Sequence, residues 1–174
     1  MQPANPDPVK FIIAALYSDD AKYERALDIC QSKFGPIDYR SAQFPFEMTD
    51  YYQDEMGTPV FRQFISFTNL VNPGELATLK IQCNAVEETV AEREKRKVNL
   101  DAGYLDFHKY VLASAKFNGQ KIYLAHGIYA DPTLYYRKGD FHPYSWSFPD
   151  FKESDRYYES LLAIRHIYKN QIKS

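Results

Sequence analysis

Four carboxylates, Glu47, Asp50, Asp54 and Glu55, fall in the segment 44–57, which also holds Phe44-Pro45-Phe46 and the adjacent Tyr51 and Tyr52. That mixture is too polar for plain core and too aromatic for an ordinary solvated loop. If 49–56 is a short helix, Asp50 and Asp54 share a face at i, i+4, where like charges repel. Two readings stand: a site for a divalent cation such as Mg2+ or for a general base, or a solvated acidic first turn capped by Thr49 or Asp50.

A second group is Asn99, Asp101 and Tyr104, expected where a short strand ends in a sharp turn at Asp101-Ala102-Gly103. Side chains at such strand ends project into clefts; the plainer reading is an Asx turn at Asp101 with Gly103 supplying the backbone angle. His126-Gly127 interrupts an apolar run, which predicts a bulge that re-aims a proton-exchanging imidazole. Residues 135–146 interleave aromatics with Arg137, Lys138 and His142 on an expected hairpin. Rings beside cations suit single-stranded nucleic acid, and equally suit an amphipathic hairpin packed on the core.

Several chemistries are excluded. The four histidines are scattered, with no i, i+4 pair and no cysteine partner, so no zinc site is expected. There is no Gly-x-Ser-x-Gly elbow and no P-loop, and the first strand runs into Ser18-Asp19-Asp20, which would repel phosphate. With 21 Lys+Arg against 23 Asp+Glu, the net charge of −2 lacks the field that non-specific nucleic-acid binding uses. Cys30 and Cys83 fall on apolar helix faces and read as packed free thiols in a reducing, cytoplasmic setting.

The elements that must position these groups follow from periodicity and punctuation. Residues 9–17 are almost wholly apolar, a central strand buried on both faces. Ser18-Asp19-Asp20 caps a helix whose face is Tyr23, Ala26, Leu27, Cys30 and Phe34, ended by Gly35-Pro36. Residues 37–46 and 60–67 read as strands, the latter with Phe61, Ile65 and Phe67 on one face and Arg62 and Ser66 on the other. Asn72-Pro73-Gly74-Glu75 opens a second helix with Leu76, Leu79, Cys83, Val86 and Val90 on its apolar face, its basic end at 93–97 suiting the helix dipole. Residues 98–100 form a fourth strand, and 104–115 read as a helix or as a helix followed by a strand. A hairpin series at 121–125, 128–137 and 141–146 and an amphipathic helix from 154 complete the chain. The order predicts an α+β fold: a ferredoxin-like βαββαβ sandwich extended by a C-terminal antiparallel hairpin series and a terminal helix. One domain over 1–174 is expected, with 1–8 a flexible lead-in that lacks the features of a secretory signal. The longest apolar run, 11–17, is too short to cross a membrane.

Three motifs in order carry a resemblance: Phe44-Pro45-Phe46 with Thr49, Tyr51-Tyr52 and Glu55-Met56-Gly57; Val98-Asn99-Leu100-Asp101 with Gly103-Tyr104-Leu105; and Gly127-Ile128-Tyr129-Ala130 with Tyr136-Arg137 and Gly139. The chain resembles, over nearly its whole length, an uncharacterised bacterial family called domain of unknown function 4416. The resemblance implies a stand-alone domain and lends no established activity. Members sometimes carry the label GTP-binding protein; the only echo of a guanine-nucleotide motif here is Ser114-Ala115-Lys116. The family often has proline where this chain has Ala102.

The leading expectation is a small-ligand domain for an anionic or nucleotide-like molecule. Its cleft is lined by Asp50, Tyr51, Glu55, Asn99, Asp101, Tyr104, His126 and Arg137. Asp101 or His126 would serve as acid/base and Arg137 as anion clamp. Two other classes stand beside it: a single-stranded RNA-binding module using an open sheet face, and a homo-oligomeric assembly protein, such as a homodimer joined by tyrosine pairs, with no ligand.

Overall fold

The computed structural model of the chain describes residues 1–47, 53–93, 95–153 and 155–173, with the side chains of Gln53 and Asp54 also left out. Its spine is β1 (Val9–Tyr17), every residue of which is buried. β1 pairs antiparallel with β4 (Phe61–Val71) on one side and with β5 (Val98–Leu105) on the other. β2 (Ile37–Arg40) adds to β4, giving the order β2-β4-β1-β5. With α1 (Asp20–Phe34) and α3 (Leu76–Val90) as the crossovers, this is the ferredoxin-like sandwich expected from the sequence. The short β3 (Phe44–Pro45) pairs with β4 and precedes α2 (Gln53–Met56).

Beyond β5 the sheet continues through β6 (Lys109–Ser114), β8 (Ile128–Arg137) and β7 (Ile122–Ala125), with β9 (Asp140–Pro143) on β8. The expected hairpin series is therefore part of the same sheet, nine-stranded among the described residues. Two tight turns join it: His126-Gly127 and Lys138-Gly139, all four residues at positive φ, the backbone that a two-residue hairpin turn requires.

The alternation of β1 sorts the core into two layers. Phe11, Ile13, Ala15 and Tyr17 point to α1 and α3, meeting Leu27, Cys30, Leu79, Cys83 and Val86. Ile12 and Ala14 point the other way, to a layer with Phe64, Tyr110 and Leu134. That second layer is closed by α4 (Pro149–Glu153) and α5 (Asp155–Lys173) through Phe151, Tyr157, Leu161, Ile164 and Tyr168. The sheet face on which the RNA reading relied is thus covered by helices. Both cysteines are buried and free, as expected.

The local corrections have physical causes. The strand expected at 37–46 is two short pieces, because Ser41 takes over the ladder to Phe64: its backbone N–H donates to the Phe64 carbonyl at 2.9 Å, and its hydroxyl accepts the Phe64 N–H at 2.9 Å. The second helix opens with a 3-10 turn, Pro73–Glu75, with the Asn72 side chain accepting from Gly74 N at 2.8 Å, and ends at Val90, before the basic run. The residues 104–115 hold no helix: β5 and β6 form a hairpin turned by Asp106, whose carboxylate accepts from the backbone N–H groups of His108 and Lys109 at 2.7 and 2.8 Å.

The largest correction concerns Asp101-Ala102-Gly103, read as a turn. These residues lie in mid-strand, paired with Ala14, Ile13 and Ile12. Gly103 serves close approach rather than a turn: a Cβ there would lie 2.7 Å from the Val111 carbonyl oxygen, 3.1 Å from Leu112 and 3.2 Å from Tyr110. Because the nearest obstacle is backbone, Gly103→Ala is expected to destabilise the fold by roughly 1–3 kcal/mol, the usual range for overpacking. Urea unfolding checks this as a lower midpoint with an unchanged slope.

Candidate functional site

β5 pairs with β1 along its whole length, but with β6 only at Gly103↔Leu112, Tyr104↔Val111 and Leu105↔Tyr110. From Gly103 back to Val98 the two strands part. The edge of β5 exposed by this splay carries backbone donors and acceptors that need partners. At Leu100 helix α3 supplies them: Lys80 Nζ donates to the Leu100 carbonyl at 2.9 Å, and Leu100 N–H donates to Glu87 Oε1 at 2.6 Å. Lys80 and Glu87 are seven residues apart and so lie on one helix face, which here is the buried one.

Each of these side chains brings a charge into the interior, and the charges alternate. Lys80 Nζ is 3.7 Å from Glu87 and 3.9 Å from Asp101. Asp101 in turn faces Arg62 at 3.4 Å, and Arg62 pairs with Asp150 at 3.0 Å while donating to the Ala14 carbonyl at 3.1 Å. On the other side Glu87 meets Arg96 at 3.3 Å, and Arg96 holds Glu55 through two parallel bonds of 2.7 and 2.9 Å. The run Asp150-Arg62-Asp101-Lys80-Glu87-Arg96-Glu55 crosses the sheet through the gap and links α4, β4, β5, α3 and α2.

The gap is a cavity of about 620 Å³, within the range of small-molecule sites. Lys80, Asn84 and Glu87 form the α3 side, Asn99 and Asp101 the β5 side, and residues 112–116 the β6 side. Phe46, Phe148 and Phe151 add an aromatic wall, with Phe148 half-exposed at the mouth. Lys121 and Asp131, a buried pair at 3.5 Å, complete the β6 and β8 flank, with Lys121 donating to Ser114 Oγ at 2.8 Å. Two donors on lining residues have no partner among the described residues: Arg62 Nε, and Asn99 Nδ2 on a residue 4 % exposed whose Oδ1 accepts from Arg96 at 3.0 Å.

Burial and pairing set the electrostatics. Desolvation pushes the Glu87 carboxyl above the usual glutamate range despite Lys80 and Leu100 N–H, and it pushes Asp131 up despite Lys121. The two bonds from Arg96 hold Glu55 below its ordinary value and raise Arg96 in return. Burial works against the charge of Arg62, but Asp150 and Asp101 keep its guanidinium above the ordinary arginine value.

Of the residues expected to form one cleft, Asn99 and Asp101 line this cavity and Glu55 reaches its rim through Arg96. Asp50 and Tyr51 lie outside the described residues. Tyr104 lines a separate cavity of about 260 Å³ with Asp106, Phe107 and Lys109. His126 is an exposed turn residue at φ 55°, a hairpin tip rather than a bulge, and Arg137 is exposed at the tip at the far end of β8. A ten-residue strand separates those tips, roughly 30 Å at about 3.3 Å per residue, so His126 and Arg137 cannot serve one site as acid/base and clamp. Among the described residues there is no group of three or more His, Cys, Asp or Glu placed to hold a metal ion.

Sequence reasoning missed Arg62, Lys80, Glu87, Arg96 and Asp150. A signal existed for two of them: Lys80 and Glu87 interrupt the apolar stripe of Leu76, Leu79, Cys83, Val86 and Val90, one heptad apart.

The model of the family described as Domain of unknown function (DUF4416) matches residues 7–168, so the chain belongs to that family. No curated protein and no solved structure matches it.

Two outcomes follow from the charge run. Asp150→Ala leaves Arg62, 6 % exposed, with Asp101 as its remaining carboxylate. A loss of roughly 3 kcal/mol in urea unfolding is expected, the lower end for breaking a buried pair. For Glu87, a folded pKa raised above the unfolded one means that the native state keeps a proton the unfolded chain releases. Its stabilising share is full below the ordinary glutamate value and falls as pH rises through the raised value. Melting curves between pH 4 and 7 should therefore show the parent losing stability relative to Glu87→Gln as pH increases.

Proposed function

We propose that this member of the family binds a small nucleotide-like ligand in the cavity between β5 and β6, with a flat apolar part against the aromatic wall and an anionic part on the cationic side chains. The observation that carries the reading is a cavity of ligand size, about 620 Å³, whose buried lining holds an unsatisfied Asn99 amide donor. A buried donor without an acceptor costs about 1–3 kcal/mol, and a bound acceptor removes that cost.

The rest of the lining supports this class of molecule. Phe46, Phe148 and Phe151 offer faces and edges for a planar ring. Arg96 at the rim and Lys116 at the mouth carry positive charge, while Asp101 and Glu87 are already compensated by Arg62, Lys80 and Arg96. Such a lining favours a ligand with both donors and acceptors over a bare ion. The reading keeps the ligand class expected from the sequence together with Glu55, Asn99 and Asp101, and leaves Tyr104, His126 and Arg137 outside the site.

A thermal-shift screen against nucleotides and sugar phosphates, with and without Mg2+, tests it. A ligand at a hundred times its dissociation constant adds about 2.7 kcal/mol, or roughly 5–10 °C in a domain of this size. The shift should disappear in Ala115→Trp, which places a bulky ring at an exposed cavity-lining position without touching the core. A shift that survives Ala115→Trp, or a flat screen with the parent protein, would contradict the assignment.

A further inference from the structure

Arg96 presents its guanidinium to the cavity, yet the fork formed by its Nε and Nη2 is filled by Glu55, in bonds of 2.7 and 2.9 Å. Two parallel N–H···O bonds are the geometry by which arginine takes carboxylate or phosphate groups from ligands as well as from side chains. Here the occupant comes from α2, and both partners are about one-third exposed, 34 % each. Solvent reaches both partners of this ion pair and screens it, so a ligand group can exchange with the carboxylate.

The neighbouring Asn99 points to a second bond for the same ligand group. Arginine can only donate, so the Arg96 contact at 3.0 Å fixes which end of the Asn99 amide is oxygen. The amide nitrogen is therefore a committed donor in the cavity lining, buried and without an acceptor among the described residues. Glu55 satisfies the fork but leaves this donor unmet. A tetrahedral or planar anion seated beside Arg96 has oxygens enough for both. Departure of the Glu55 carboxylate would not release α2, because the Met56 carbonyl is held independently by Lys97 Nζ at 2.9 Å and by the Ser18 hydroxyl.

We propose that Arg96 and Asn99 form the anion-binding end of the cavity and that Glu55 occupies the Arg96 fork as an internal stand-in, displaced by a phosphate or carboxylate group of the ligand. The inference rests on the small-ligand reading above and adds the ligand's anchoring group and a competitor built into the chain. An internal competitor lowers apparent affinity by the fraction of time it holds the site. Its removal strengthens binding.

Calorimetric titration of inorganic phosphate into the parent, Glu55→Gln and Arg96→Lys proteins tests this. Arg96→Lys keeps the charge beside Glu87 and loses the fork, which preserves folding while removing the bidentate site. Glu55→Gln should bind phosphate roughly threefold to tenfold more tightly than the parent, and Arg96→Lys should bind it several-fold more weakly. Equal or weaker binding in Glu55→Gln overturns the proposal, as does phosphate binding that Arg96→Lys leaves intact. If phosphate binds none of the three while a nucleotide still shifts the melting of the parent, the anion end is wrongly placed and the cavity reading stands. Absence of both removes the two together.

Discussion

A strand that leaves its neighbour inside a folded protein must find other partners for its backbone, and β5 does so at Leu100. Lys80 and Glu87 supply a donor and an acceptor from α3 at 2.9 and 2.6 Å, doing for one residue what β6 does further along. That solution introduces buried charge. Lone charges at this depth would be costly by several kcal/mol each, which is why Asp101, Arg62 and Asp150 extend the run on one side and Arg96 and Glu55 on the other. The splay, the ion pairs and the cavity are one arrangement seen at three scales.

The C-terminal helices make that arrangement durable. Asp150 opens into Arg62 from α4, and Phe151 lies under the same guanidinium at 5.8 Å. α5 is pinned across the second face by polar contacts at its far end. The Tyr168 hydroxyl donates to the Pro8 carbonyl at 2.9 Å, Arg165 donates to the Phe107 carbonyl at 3.0 Å, and Gln171 accepts from the buried Lys10 at 2.7 Å. Lys10 also pairs with Asp38 of β2, so the terminal helix is tied to β1 and β2 of the ferredoxin-like unit. A face that would otherwise present rings to solvent becomes a second core.

Much of the frame was legible because it obeys local rules. The apolar run of β1, the Asp19 cap and the Gly35-Pro36 stop of α1, and the Lys138-Gly139 turn each stand where pattern and turn chemistry place them. Asp101 and Asn99 were legible as polar residues in an apolar strand, but Asp-Ala-Gly has the composition of a turn and was read as one. Its real constraint is the approach of the Val111 carbonyl to Gly103 across the β5-β6 hairpin, which a helical reading of 104–115 hides. Arg62 was placed with Ser66 on the strand face opposite Phe61, Ile65 and Phe67, and Phe64 shares that face. The helices that bury both come some 90 residues later in the chain. His126 and Arg137 show the opposite error: chemically versatile side chains at turns attracted a functional reading, while the fold sends them to exposed tips at the two ends of β8.

We propose that the opening between β5 and β6 is the ligand site of this protein. The most direct test follows the backbone amides and the Asn99 side-chain amide by nuclear magnetic resonance while a nucleoside monophosphate is added. Binding in the opening gives saturable shifts concentrated at 99–101, 112–116 and the Asn99 amide pair, with the tips at 126–127 and 137–139 unmoved. Shifts centred on those tips, or none at the splayed strands at millimolar ligand, would contradict it.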